Sequence, residues 1–240
     1  MIRRVVSAAL LVRDAFTGAP FVSGASLRCV LDGQAVRPLW KPGGYLILTD
    51  LEPGEHSLFL SCRSFRDQKH VFRAGDGVWE QEIDMEPAEN YPYLRDAVLV
   101  RLTRKSKKDE PVWAAEPGVF SLRLAQASEK DALEARLLSR GPAELLSLPG
   151  WFLAADEGKE GPELVHLREL RGETGIFDVP MKKSHPRGTE LFRARRFVRQ
   201  ADGRLEAAFR GGEKLFLFCG GKWKTVELET GTQEIEWKEG

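Results

Sequence analysis

The chain has 240 residues, of which 42% are hydrophobic and 30% are charged, a composition typical of a folded globular protein. Lysine plus arginine and aspartate plus glutamate each number 36, so the formal net charge is zero. A general nucleic-acid-binding protein usually carries a basic excess, so this balance argues against that class. The length suits one large domain or two small ones.

The first twelve residues have two interpretations. Two arginines precede an uncharged run over residues 5–12, as at the start of a secretory signal peptide. No small-residue cleavage site follows, and Arg13 and Asp14 come at once. The run also alternates between the two faces of an extended chain, so we favour a first β-strand over a signal peptide.

The cysteines and the hydropathy bear on the compartment. Cys29, Cys62 and Cys219 form no Cys-x-x-Cys pair, and each lies in an apolar or alternating run, which is typical of buried free thiols. A disulfide between Cys29 and Cys62 is the alternative, and nothing in the sequence supports it. The sequence contains no stretch of about 18 apolar residues, so it predicts no transmembrane helix. We expect a cytoplasmic protein.

Short strands separated by turns fill residues 1–86. Turn signals such as Asp32-Gly33, in which glycine accepts a positive φ, recur about every ten residues, a spacing typical of a β-sandwich. In the last of these strands apolar residues alternate with Glu80, Glu82 and Asp84. We therefore expect one face of that strand to be wet.

The turn residues of this region follow a family-like order. They are Asp14, Thr17, Gly18 and Pro20, then Gly24-Ala25, Asp32-Gly33, Gly44-Tyr45 and residues 50–56. This pattern resembles the carboxypeptidase regulatory-like domain, a transthyretin-like β-sandwich, over residues 1–86. The family usually has tyrosine where this chain has His56. The resemblance implies a non-catalytic role as a folding aid, spacer or interaction module, and it supplies no active-site residue.

A change of pattern marks a boundary after residue 88. Pro87 and the sequence Asn90-Tyr91-Pro92-Tyr93 interrupt the alternation, and residues 101–108 then contain five basic residues in eight. We expect a first domain at 1–88, a linker or connecting strand at 89–111, and a second domain at 112–240. The basic stretch is either a solvated linker or a docking site for an acidic partner.

Residues 112–240 are predicted to be β-rich with one helix and match no family. Ser128 would begin the helix, Leu133 and Leu137 would stack at i and i+4, and Gly141 before a proline would end it. A strand is the alternative for this leucine-rich stretch. Turns at 202–203 and 220–221 predict two hairpins. The whole chain is thus predicted to be mainly β with two domains, the first an immunoglobulin- or transthyretin-like sandwich.

The sequence contains no strong catalytic or cofactor motif. It lacks a P-loop, a G-x-G-x-x-G turn, a G-x-S-x-G elbow and an H-E-x-x-H helix. We therefore predict no enzyme activity, no cofactor and no catalytic metal. We expect His56 to bond the backbone at its corner and His166 to be structural. The four histidines lack the short spacing of metal ligands; they are His56, His70, His166 and His185.

The most informative charged cluster is basic and lies within residues 182–199. It contains one acid, Glu190, and seven cationic residues: Lys182, Lys183, Arg187, Arg193, Arg195, Arg196 and Arg199. On one strand Arg193, Arg195 and Arg199 would share a face, and we single these three out as interaction residues. They either form a protein interface, hold phosphates and bases, or pair with acids of adjacent strands such as Glu206, Glu213 or Glu227.

Together these features predict a non-enzymatic structural or adaptor component of a larger intracellular protein assembly, with other protein subunits as partners. A phage-tail-like or contractile injection particle is one such setting, by analogy. The alternative is a carbohydrate- or nucleic-acid-binding module, and a third class is an enzyme whose site assembles from scattered residues. Six tryptophans would favour sugar binding if two were exposed and coplanar, whereas the single asparagine, Asn90, argues weakly against it. We expect neither nucleic acid nor a membrane as partner, and we infer no small-molecule substrate.

Overall fold

The structure is a computed structural model that describes residues 4–21, 27–75, 77–94, 97–104, 110–118, 120–141, 148–155, 161–200, 202–212 and 214–237. Within these ranges the chain forms β-strands, turns and loops, and none of the described residues forms an α-helix. The described ranges accordingly hold no helix long and apolar enough to cross a bilayer. The mainly β class is confirmed. The chain divides into two compact units, Met1–Leu94 and Arg95–Gly240.

Eight described strands form two sheets in the first unit. They are β1 (Val6–Asp14), β2 (Arg28–Leu31), β3 (Gln34–Val36), β4 (Leu39–Lys41), β5 (Tyr45–Thr49), β6 (Gly54–Cys62), β7 (Phe65–Ala74) and β8 (Trp79–Met85). One sheet has the order β4-β5-β1-β8 and the other β3-β2-β6-β7. β1 pairs antiparallel with β5 and parallel with β8. The first strand predicted over the uncharged run is confirmed.

The two sheets of the first unit enclose one hydrophobic core. Leu10 and Leu46 are fully buried from one sheet, and Leu58 and Leu60 from the other. Such residues recur at alternate positions because successive side chains of a strand point to opposite faces. The first unit is therefore a two-layer β-sandwich, as predicted. Gly24-Ala25, part of the turn pattern, lies outside the described residues.

The turn after β1 explains several residues of that pattern. One carboxylate oxygen of Asp14 accepts a hydrogen bond from the amide of Phe16 (2.7 Å), and the other accepts one from the Tyr91 hydroxyl. Gly44 passes close to this turn with φ at 87°. A Cβ at Gly44 would lie 2.7 Å from Cβ of Pro20, so the close approach requires glycine.

Arg13 is an exception to the alternation of polar and apolar burial in β1. Its side chain points away from the sandwich core, yet it is only 2% exposed. The guanidinium binds the carboxylates of Glu82 (2.6 Å) and Asp84 (2.9 Å) on the neighbouring β8. The wet face predicted for β8 is therefore present at Glu80, whereas Glu82 and Asp84 are half-buried beside Arg13.

Thirteen described strands form the second unit. They are β9 (Val98–Arg104), β10 (Trp113–Ala115), β11 (Ser121–Leu124), β12 (Glu134–Arg140), β13 (Gly150–Ala155), β14 (Glu163–Arg171), β15 (Thr174–Phe177), β16 (Glu190–Arg196), β17 (Val198–Arg199), β18 (Leu205–Phe209), β19 (Lys214–Cys219), β20 (Lys222–Glu227) and β21 (Thr232–Trp237). β9 lies in the segment predicted as a linker or connecting strand, and it pairs with β18 and β21. Residues 105–108 of the predicted basic stretch lie outside the described residues.

Six strands of the second unit close on themselves. The order β11-β12-β15-β14-β13-β16 is completed by a pairing between β11 and β16, and every neighbouring pair is antiparallel. The result is a closed barrel. Alternate side chains fill its interior, among them Leu122, Leu137, Phe152, Val165 and Leu191.

β16 extends past the barrel into a two-layer region. Its second half pairs with β10, which is followed in the same sheet by β19 and β20. A separate sheet of order β17-β18-β9-β21 packs against these strands. Val100, Phe209, Leu217 and Trp237 are buried between the two layers. β16 therefore connects the barrel to the two-layer region.

The helix predicted for residues 128–141 is wrong. β12 occupies its second half, and Asp131 adopts a positive φ of 66° in the turn before it. Ser128 caps no helix, because its backbone forms an isolated antiparallel β-bridge with that of His185. Leu133 and Leu137 are four positions apart, and this even spacing fits one face of a strand as well as one face of a helix. The strand alternative is confirmed.

Candidate functional site

The arginines singled out from the sequence lie on two strands in different sheets. Arg193 and Arg195 belong to β16, whereas Arg199 belongs to β17. Phe197 lies between the two strands and is buried in the core of the two-layer region. The structure therefore places Arg193 and Arg195 on one face of one strand and puts Arg199 in another sheet.

Arg195 is half-buried and contacts its own unit. Its Nη1 donates a hydrogen bond to the carbonyl of Ala208 (2.5 Å), and its guanidinium carbon lies 5.0 Å from the centroid of the Phe209 ring. Arg199 is exposed, and its Nη1 donates a long hydrogen bond to the carbonyl of Gly203 (3.4 Å). Arg195 is thus held by the core of the two-layer region, whereas Arg199 lies on its surface.

The structure shows the neighbours of two of the three acids that were expected beside these arginines. Glu206 binds Arg101 of β9, with 3.0 Å between Oε2 and Nε. Glu227 is opposite Lys214 in the hairpin of β19 and β20. Glu213 lies outside the described residues.

A different group of basic residues surrounds an open cleft of about 570 Å³ in the second unit. The cleft lies where β11 and β16 close the barrel, beside the start of β19. Its rim carries Arg123 of β11, Arg140 of β12, Lys214 of β19 and Arg187 from the loop before β16. Of these four, only Arg187 belongs to the basic cluster that the sequence indicated.

The floor of the cleft is aromatic. Leu191 points into the barrel, so the next residue, Phe192, points to the outer face of the sheet. The rings of Phe192 and Phe216 lie with their centroids 5.8 Å apart. Nζ of Lys214 lies 5.6 Å from the centroid of the Phe216 ring, within cation–π range. The floor can therefore contact a flat or apolar group while the rim contacts a charged one.

The described residues that line the cleft carry more positive than negative charges. Glu190 supplies the one carboxylate among the described residues that line it, and its Oε1 lies 2.5 Å from Nη1 of Arg140. Within the described part of the chain, Arg123, Arg187 and Lys214 have no ion-pair partner. Among the described residues, the cleft therefore presents three cations without an ion-pair partner above an aromatic floor, which suits a ligand that combines negative charges with an apolar part.

A buried carboxylate holds the loop that carries Arg187. Glu163 is 5% exposed and accepts hydrogen bonds from the amides of Lys182 (2.5 Å) and Lys183 (3.1 Å) and from Nε2 of His185 (3.1 Å). Burial alone would raise the pKa of Glu163, but these hydrogen bonds lower it below its ordinary value. The ionised carboxylate thus fixes one end of the loop.

Gly188 shapes the wall of the cleft next to the barrel. Its φ is 95°, a conformation that residues with a Cβ rarely adopt. A Cβ at this position would also lie 3.0 Å from Nη2 of Arg123. Glycine therefore both permits the turn before β16 and leaves room for the guanidinium of Arg123.

The other candidates for chemistry are dispersed. Nδ1 of His166 bonds the carboxylate of Asp178, and no group of three or more His, Cys, Asp or Glu side chains in the described ranges could hold a metal ion. Trp113 and Trp151 have ring centroids 5.1 Å apart, but both are half-buried and their planes are inclined by 43°. This pair therefore lacks the exposed, coplanar arrangement that the sugar-binding hypothesis required.

Sequence reasoning missed three of the four rim cations. Arg123 and Arg140 come from the consecutive strands β11 and β12, and Lys214 comes from β19, which is distant from them in sequence. Each is an exposed strand residue, and such residues are usually solvated charges. The pairing of β11 with β12 brings Arg123 and Arg140 together. Lys214 comes near them because β16 pairs both with β11 and with β10, the neighbour of β19. These pairings depend on strand register, which no local pattern reveals.

Comparison with known proteins gives no family. No protein-family model matches the chain, and no curated protein matches its sequence. BcpA, the major pilin subunit of Bacillus cereus, is 9% identical over 95% of this chain and 69% of that chain, with a TM-score of 0.26. The TIE protein of Bacillus anthracis is 10% identical over 98% of this chain and 51% of that chain, with a TM-score of 0.25. A cell adhesion protein from Bacteroides ovatus is 8% identical over 98% of this chain and 92% of that chain, with a TM-score of 0.23.

Proposed function

We propose that the chain is a non-enzymatic structural or adaptor component of a protein assembly, and that the cleft of the second unit docks an acidic segment of a partner protein. The observation that carries the proposal is that the described lining residues arrange four cations and one carboxylate around a phenylalanine floor. The first unit, whose turns resemble the carboxypeptidase regulatory-like domain, is proposed as a spacer or interaction module.

An acidic protein segment with an apolar side chain complements the cations and the phenylalanines that line the cleft. Its carboxylates would bind the guanidinium groups of Arg123 and Arg187, which form planar, two-pronged hydrogen bonds with carboxylates. An apolar side chain between two acidic residues would lie on Phe192 and Phe216. Arginine and aromatic residues are also the types most enriched at protein interfaces. A cytoplasmic location and a phage-tail-like setting stay predictions.

The test is the affinity of the full chain for a short fluorescent peptide with a central phenylalanine flanked by glutamates. We expect binding that weakens as salt rises, because the pairs at the rim are exposed and screened. The same peptide with glutamine in place of glutamate should bind at least about tenfold more weakly, since about 1.4 kcal/mol of lost pairing corresponds to that factor.

A charge reversal locates the binding. Arg187→Glu should weaken peptide binding by about tenfold or more, because it removes one attraction and adds one repulsion. Arg199→Glu is the matched control, since it makes the same charge change at an exposed arginine of another sheet, and it should bind like the wild type. Equal losses in the two variants would refute the cleft as the site. Tighter binding of single-stranded oligonucleotides or acidic oligosaccharides than of the peptide would favour the alternative of a nucleic-acid- or carbohydrate-binding module.

A further inference from the structure

Glu190 lines the cleft together with the cations that the cleft offers to a ligand. Strand register places it opposite Arg123 on β11 and opposite Ala155 on β13. Its carboxylate binds Arg140 on β12, the strand on the other side of β11. The chain thus supplies an internal carboxylate within the same small set of arginines that an incoming acidic segment would use.

The two members of this pair differ in exposure. The side chain of Glu190 is 29% exposed and that of Arg140 is 63% exposed. An ion pair this exposed contributes little to folding, because water and salt screen it and both side chains lose freedom. The electrostatic effect of this pair on a bound ligand is larger than its contribution to folding, because the charge of the ligand would lie within a few ångströms of both Glu190 and Arg140.

We propose that Glu190 is a built-in competitor for the acidic segment: it holds Arg140 in the empty cleft, and a ligand carboxylate must displace it from Arg140. The inference rests on the proposed docking function and adds the residue that limits its affinity and selectivity. A ligand with one carboxylate gains little binding free energy, because at Arg140 its carboxylate only replaces that of Glu190. A ligand with several neighbouring carboxylates gains more binding free energy, because it also binds Arg123, Arg187 and Lys214.

This role predicts that removing a side chain's charge improves binding, an outcome that misfolding does not produce. Glu190→Gln keeps the size of the side chain and should bind the glutamate–phenylalanine peptide about fivefold more tightly than the wild type, the order expected for one exposed charge pair. The matched control is Glu173→Gln. Glu173 forms an exposed ion pair with Arg136 outside the cleft, with 2.6 Å between Oε2 and Nη2. Glu173→Gln therefore makes the same change in net charge as Glu190→Gln.

A double-mutant cycle separates competition at Arg140 from general repulsion. If Glu190 acts by occupying Arg140, Glu190→Gln should improve binding by less than about twofold in an Arg140→Gln background. Persistence of the full gain in that background would overturn the inference, as would equal gains from Glu173→Gln or no gain at all. If the wild type binds and Glu190→Gln adds nothing, only this inference fails; if neither binds the peptide, the proposed function fails with it.

Discussion

Nδ1 of His56 lies 2.7 Å from Oδ2 of Asp32, at the corner where the resemblance leads one to expect tyrosine. Nε2 of the same ring lies 2.8 Å from the backbone carbonyl of Glu52, so the predicted backbone hydrogen bond of His56 is confirmed. Both partner atoms accept hydrogen bonds, so both ring nitrogens must carry a proton for both bonds to form. The corner therefore favours the imidazolium ion.

The first prediction concerns the pH dependence of this corner. The hydrogen bond to the carbonyl of Glu52 and then the carboxylate of Asp32 raise the pKa of His56 above its ordinary value. A raised pKa means that the stabilisation is complete below the pKa of the unfolded chain and is lost as pH rises through the folded value. His56→Ala should lower the free energy of unfolding by about 1 kcal/mol near pH 6.

NMR titration of the His56 ring in the full chain measures this directly, and a chain carrying His56→Gln assigns the signal. Asp32→Asn should move the pKa of His56 down toward the ordinary histidine value. A pKa of His56 below that value in the wild type would contradict the account of the corner.

A second prediction concerns Arg13, which neutralises two carboxylates of β8. Arg13→Met keeps much of the side-chain volume but removes the guanidinium that Glu82 and Asp84 share. We expect a loss of about 2 kcal/mol, below the full cost of breaking a buried pair because both carboxylates are partly exposed. Urea unfolding of the full chain measures the change.

Removing the two charges should rescue the Arg13 variant. The combination Arg13→Met, Glu82→Gln and Asp84→Asn should regain at least half of the lost stability, because the like charges are gone. Arg28→Met, at an exposed position of β2, should change stability by no more than about 0.5 kcal/mol. A triple variant as unstable as Arg13→Met alone would show that the packing of the guanidinium, and not its charge, is what matters.

A third prediction separates two of the arginines that the sequence grouped. Arg195→Glu should destabilise the chain by about 2 kcal/mol, because it removes a bond to the carbonyl of Ala208 and puts a carboxylate against the Phe209 ring. Arg199→Glu should cost no more than about 0.5 kcal/mol, since Arg199 is exposed. Thermal unfolding of both variants tests the difference, and equal losses would contradict the burial of Arg195.

Much of the fold could be predicted from the sequence because its signals are local. The alternation of β1 and the Asp32-Gly33 turn each depend on neighbouring residues, and both were predicted correctly: Asp32 and Gly33 adopt φ values of 49° and 81°. The stretch containing Leu133 and Leu137 was ambiguous, because residues four positions apart lie on one face of a helix and also on one face of a strand. There β12 pairs with β11 and β15, and such pairing between strands is open to a strand and not to a helix.

The candidate site could be predicted only in part. Arg187 lay in the basic cluster seen in the sequence, but of the arginines singled out beside it, Arg199 was separated from Arg193 and Arg195 by a change of sheet at Phe197. The cleft depends on which strands pair across the barrel and on which face Phe192 and Phe216 point. These are properties of register, and a single sequence carries no direct signal for them.

The most direct test of the docking cleft is a map of the backbone amides of the full chain that change on titration with the glutamate–phenylalanine peptide. We expect the largest NMR shift changes at Arg123, Gly188, Thr189 and Phe216, and we expect them to be much smaller in the Arg187→Glu variant at the same peptide concentration. Shift changes confined to the first unit, or centred on the hairpin of Arg199, would contradict it.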